Sequence, residues 1–245
     1  MTASNVTLAS RRHVAVELLL FAIGSALYLG LWRNRPGYAD MTFGLAGMCL
    51  VLLLAWRTNE RIWGAPLPDP KTRLMQSAWA MCLATAPSVV IFAIIGYWLA
   101  IGADSARTPM ERFFRPTFFL SLPFYFLFGW LQQALVHYYL LGRIRILLPG
   151  ASPWALALFN GVLFSLLHLH ADPDVALLLL TMGGGIIWTL SYLRWRCLLP
   201  LAVSHMVLGV TYFYWVRDSD KMEILLSAFK AFSRSDVTGY FSPMQ

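Results

Sequence analysis

Apolar runs of about twenty residues, the length that crosses a hydrocarbon core, recur along this chain near 14–32, 40–56, 76–102, 117–141, 153–170, 174–193 and 197–216. Polar segments separate them. The pattern predicts an all-α, polytopic transmembrane helix bundle of about seven spans. The first run, VAVELLLFAIGSALYLGLW, follows Arg11 and Arg12. It exceeds the apolar stretch of a signal peptide, about 7 to 15 residues, and reads as a retained span. Glu17 lies about one turn inside it, where a carboxylate reaches the interface cheaply and is expected to pair with Arg11 or Arg12. Pro87 and Pro123 fall within spans and are expected to kink them. Gly183, Gly184 and Gly185 remove side chains for a full turn and read as a site of close helix packing.

The same pattern divides the chain into N-terminal transmembrane helices with a polar loop (1–116), a transmembrane core (117–216) and an amphipathic C-terminal tail (217–245). The longest polar stretch, RTNERIWGAPLPDPKTR at 57–73, reads as an ordered loop. FFRP at 113–116 reads as a short interfacial helix entering the fourth span. In the tail, Met222, Leu225, Leu226, Phe229 and Phe232 recur at helical spacing beside Lys221 and Lys230. That is the pattern of a helix lying in the interface plane.

Composition fixes the solvent. Hydrophobic residues make up 58% of the chain and charged ones only 13%, against about 25% charged in soluble domains, so the lipid bilayer is the first partner. The net charge of +7 comes from arginines spread through the loops. Spread of that kind suits headgroup contacts and topology, and nucleic acid, which wants a continuous basic face, is not an expected partner. Arg143, Arg145, Arg194 and Arg196 flank the last spans at one end, and the intervening loop HADPD has no Lys or Arg. This places the arginine-bearing loops and the N-terminus in the cytoplasm, with Arg107, Arg112, Arg115 and the basic tail pulling the other way. Short loops point to a bacterial inner membrane. Cys49, Cys82 and Cys197 are scattered without a CxxC and read as small buried hydrophobes.

Polar side chains at membrane depth are functional-site hypotheses by default. Gln132, Gln133 and His137 lie in the fourth span, Asn160 and His168 in the fifth, and Ser204 and His205 in the seventh. Between Glu111 and Asp218 the only carboxylates are Asp172 and Asp174, both in a loop, so chemistry in these spans must run without an intramembrane Asp or Glu. At helical spacing Gln133 shares a face with His137, Phe164 with His168, and His205 with Gly209. Of the two glutamines, one is expected to address a cavity and the other a neighbouring helix. At 1.5 Å per residue, Gln132 and His205 lie at similar depths, about 14 and 12 Å from the Arg143 and Arg196 ends. His168 falls about 22 Å along its span, nearer the opposite surface unless that helix starts later, tilts or lines a cavity open on that side.

The order Gln-Gln-x3-His, Phe-x3-His and His-x3-Gly on three late helices resembles the CPBP family of intramembrane proteases, which includes CAAX-processing endopeptidases and bacteriocin-processing or immunity proteins. The resemblance covers about 130–210. The family's pattern is Glu-Glu-x3-Arg, Phe-x3-His and His-x3-Asn. There the first Glu and the second motif's His activate water, the Arg orients the Glu pair, and the third motif's His and Asn stabilise the oxyanion. The resemblance implies that the catalytic Glu falls on Gln132, the second Glu on Gln133, the Arg on His137 and the Asn on Gly209, with His168 and His205 retained. A carboxamide lacks the basic lone pair of the carboxylate it replaces.

Three readings follow. In the first the protein is an intramembrane endopeptidase acting on a membrane-associated or lipidated substrate. His168 is then the base, His205 and a Gln132 or Gln133 amide are the oxyanion donors, and Gln132 positions the water, with Gln133 and His137 in support and Asn160, Phe164 and Gly209 shaping the substrate site. In the second the cavity binds a membrane peptide or partner protein without cutting it. In the third His137, His168 and His205, with His170 or Asp172, hold a divalent metal or haem.

Overall fold

The computed structural model describes residues 8–32, 46–49, 52–53, 69–102, 107–168, 174–220, 222–223 and 226–227. Every regular element among them is helical. In chain order these are α1 (Leu8–Trp32), α2 (Pro70–Ile101), α3 (Pro109–Phe113), α4 (Pro116–Gln133), a π-helical segment π1 (Ala134–Leu140), α5 (Leu141–Leu147), α6 (Pro153–His168), α7 (Val175–Trp195), α8 (Leu198–Thr211) and a second π segment, π2 (Tyr212–Val216). Prolines open α2, α3, α4 and α6, positions where the missing N–H costs nothing and the fixed φ suits a helix. Asp69 caps α2 through Thr72 N, Thr108 and Glu111 form a capping box on α3, and Asp174 caps α7 through Ala176 N at 2.9 Å.

Among the described residues, four stretches are long and apolar enough to cross a membrane: Pro70–Ile101, Pro109–Leu147, Val175–Trp195 and Leu198–Val216. Pro153–His168 is apolar but shorter, α1 covers the expected first span, and 40–56 lies largely outside the described residues. The protein is an integral membrane helix bundle, and its distribution of side chains agrees. Trp79, Leu83, Trp98, Phe119 and Leu158 are exposed, while Ser77, Gln133, His137, Asn160 and Thr189 are fully buried. Apolar faces turned outward around a polar interior suit a lipid solvent. Cys49 and Cys82 share that outer surface and Cys197 is half-buried, so the expectation of buried thiols is corrected for all three.

Helices α6 and α7 pack closest. A β-carbon on Gly161 would lie 2.7 Å from Ile186 Cγ1 and 2.8 Å from Met182 O, and one on Gly185 would lie 2.9 Å from Gly161 Cα. Packing therefore requires Gly185 alone of the glycine triplet. Gly183 faces open space, and Gly184 leaves room for the Trp188 ring.

Glu17 pairs with Arg143 at 3.1 Å rather than with Arg11 or Arg12. Helix α1 packs against the α4–α5 rod, also through Phe21 on Tyr139, and this brings Arg143 within reach. At the other end of the bundle, Asp218 accepts from Arg107 at 2.8 Å and also pairs with Arg112 and Arg115, which tie the start of α4 to the end of π2. Asp174 Oδ2 accepts from Tyr212 and from Arg217, each at 2.9 Å. The Ala176 N–H and the Tyr212 hydroxyl hold the Asp174 carboxyl below the usual carboxylate range. The short helix before the fourth span is α3, at 109–113, so FFRP forms the junction and not the helix. Of the tail helix only Met222, Glu223, Leu226 and Ser227 are described, Met222 being buried.

Candidate active site

The rod α4–π1–α5 crosses the bundle and carries Gln132 and Gln133 at the point where α geometry gives way to π. Backbone N–H of Leu141 reaches Val136 O, an i to i−5 bond. Such bulges recur at functional sites because they turn side chains that regular spacing would align. Gln133 and His137, four apart, therefore address different helices. Gln133 Nε2 contacts His205 Nδ1 of α8 at 3.3 Å, and His137 Nε2 contacts Thr189 Oγ1 of α7 at 3.1 Å.

His205 is 9% exposed and held on several sides. Its ring stacks on Trp188, with centroids 5.1 Å apart and planes at 28°, and meets the Phe164 edge at 5.5 Å. Gly129 lets it approach α4, since a β-carbon there would lie 3.4 Å from His205 Cγ and Nδ1. Trp188 is fixed in turn, its Nε1–H donating to Ser204 Oγ at 3.0 Å, and Ser204 shares a 2.7 Å bond with Thr85 of α2. With the Gln133 amide nitrogen facing the ring, Nδ1 of His205 is the acceptor and its proton sits on Nε2.

His168 ends α6. Its Nδ1 lies 2.8 Å from Phe164 O. A carbonyl only accepts, so Nδ1 carries the proton and Nε2 keeps its lone pair. The two histidine rings are 6.4 Å apart. The depth expected for His168 does not keep its ring away from that of His205, although α6 starts at Pro153.

Thr189 is the hub of a second network. Its hydroxyl donates to Gly185 O at 2.6 Å and accepts from Asn160 Nδ2 at 2.8 Å and from His137 Nε2. Asn160 and Phe164 are both fully buried. Gln132 makes no hydrogen bond among the described residues. Its Oε1 is enclosed without a donor, as are Gln133 Oε1, Asn160 Oδ1 and His137 Nδ1. Buried acceptors of this kind are ordinarily satisfied by water. The structure thus brings together Gln133, His205, Phe164 and His168, and separately His137, Thr189 and Asn160. It supports no metal centre among the described residues, where no group of three His, Cys, Asp or Glu side chains is placed to hold an ion. His137 and His205 each commit a ring nitrogen to a neighbour, and His170 and Asp172 lie outside the described residues.

Residues 114–211 match the family model for the Type II CAAX prenyl endopeptidase Rce1-like proteins. This segment is similar to that family. The match agrees with the CPBP resemblance, and at family level it is to CAAX-protease-type intramembrane endopeptidases. No curated protein and no solved structure matches the chain. The matched segment runs from the start of α4 to the end of α8 and holds every polar side chain of the candidate site except Thr85 of α2. Sequence reasoning missed Trp188, Thr189, Thr85 and Gly129. Gly129, Trp188 and Thr189 left a trace, each four residues from a position already noted, Gln133, Gly184 and Gly185.

Proposed function

We propose that the protein is an intramembrane endopeptidase that hydrolyses a peptide bond in a membrane-associated or lipidated substrate, using two neutral imidazoles where its family uses a carboxylate. The observation that carries this is a pair of histidine rings with centroids 6.4 Å apart, His168 Nδ1 facing Phe164 O and His205 Nδ1 facing Gln133 Nε2, contacts that leave a lone pair on Nε2 of the first and a proton on Nε2 of the second. A water between them gives a proton to His168 Nε2 while its oxygen attacks the scissile carbonyl carbon. The carbonyl oxygen becomes an oxyanion and takes a hydrogen bond from His205 Nε2–H. Collapse breaks the C–N bond, and the His168 imidazolium returns its proton to the leaving amine. Gln132 Oε1 holds the water, Gln133 fixes the His205 tautomer, and His137 braces π1 against α7. Apolar surroundings favour neutral imidazole over imidazolium.

The two carboxamides favour a second reading, a family member that binds a membrane peptide without cutting it. A fluorogenic membrane-peptide library separates the two. Turnover by the wild type and a loss of at least about 10²-fold in His168→Ala are expected. Turnover that survives His168→Ala contradicts the mechanism, and no turnover together with one co-purifying membrane partner contradicts the hydrolase.

A further inference from the structure

One donor is a weak cradle for an oxyanion, since sites of this kind pair two. A second polar ring lies against Gly209. A β-carbon there would lie 3.1 Å from Tyr125 Cε1 and 3.2 Å from Tyr125 Cδ1, with His205 Cδ2 3.9 Å away. The missing side chain lets the phenol ring rest against the α8 backbone. Cε1 neighbours the carbon that bears the hydroxyl, and Cδ2 is bonded to Nε2, so an edge of each ring borders the same point. Tyr125 sits one turn before Gly129 and two before Gln133, on the face of α4 that meets His205. Tyr212 and Tyr214 spend their hydroxyls on Asp174 and Asp220. The Tyr125 hydroxyl makes no hydrogen bond among the described residues, although a phenol in apolar surroundings ordinarily finds a partner.

We infer that the Tyr125 O–H is the second oxyanion donor, acting with His205 Nε2–H on the carbonyl oxygen of the scissile bond. The inference rests on the hydrolase reading. It makes Gly209 a requirement of the site, because any side chain there displaces the phenol. The full-length protein in lipid nanodiscs, assayed on the best-cleaved library peptide, tests it. Tyr125→Phe keeps the ring on Gly209 and removes only the hydroxyl, so kcat should fall about 10²–10³-fold with KM and melting temperature nearly unchanged. Gly209→Ala should lower kcat in the same direction by pushing the ring aside. A Tyr125→Phe kcat close to wild type, or a change in KM alone, overturns the inference while His168→Ala still tests the hydrolase. Absence of wild-type turnover overturns both.

Discussion

Two ring nitrogens decide what this site can do, and each is set by one hydrogen bond. Phe164 O takes the proton side of His168, and the Gln133 amide takes the acceptor side of His205. The indole of Trp188 keeps the second ring in place and depends on Ser204, which is buried and bonded to both Trp188 and Thr85. Ser204→Ala leaves the indole N–H and the Thr85 hydroxyl without that partner, a loss of about 1–3 kcal/mol. It should appear as a lower melting temperature in detergent, with the Trp188→Phe and Ser204→Ala double variant losing less than the sum of the singles. Gln133, His168 and His205 were legible in the sequence because a polar side chain stands out in an apolar span. Trp188 and Tyr125 were not, since an aromatic in a hydrophobic helix carries no mark of whether it faces lipid or a histidine.

The helix starts at Pro116 and Pro153 fall within one residue of the expected spans, whereas α2 opens at Pro70, inside the stretch expected to be a loop, and that expectation is corrected. Pro70, Pro109, Pro116 and Pro153 open their helices. The π1 segment was hidden, because ALVHYYL has no residue that demands an i to i−5 bond, and regular spacing therefore paired Gln133 with His137 where the structure sends them to α8 and α7. The glycine triplet was read correctly as packing only at Gly185, since spacing alone does not tell which of three adjacent glycines faces the neighbour. Gly161→Ala should destabilise the α6–α7 contact by about 1–3 kcal/mol through overpacking. Gly183→Ala, pointing into open space, should be neutral or gain up to about 1 kcal/mol of helix propensity. Thermal unfolding of both variants in one detergent checks the contrast, and equal effects would mean that the α6–α7 approach is looser than described.

Across the whole molecule, polar groups collect inside and apolar ones face outward, so the first half of the chain serves as more than an anchor. Helix α1 docks through Glu17 on Arg143, and α2 reaches the site's support through Thr85 on Ser204. One end of the bundle gathers Arg73, Arg143, Arg145 and Arg196, with Arg73 donating to Trp195 O, while the other clamps Arg107, Arg112, Arg115 and Arg217 onto Asp218, Asp220 and Asp174. Arg107, Arg112 and Arg115, which opposed the expected orientation, are paired with carboxylates, as Arg143 at the opposite end is with Glu17. Between these ends the account rests on complementary neutral imidazoles. The most direct measurement is the ¹⁵N spectrum of histidine-labelled protein in lipid nanodiscs at neutral pH, assigned with His168→Ala and His205→Ala. The account predicts a proton on Nδ1 of His168 and on Nε2 of His205; a proton on Nε2 of His168, or an imidazolium at either position, would contradict it.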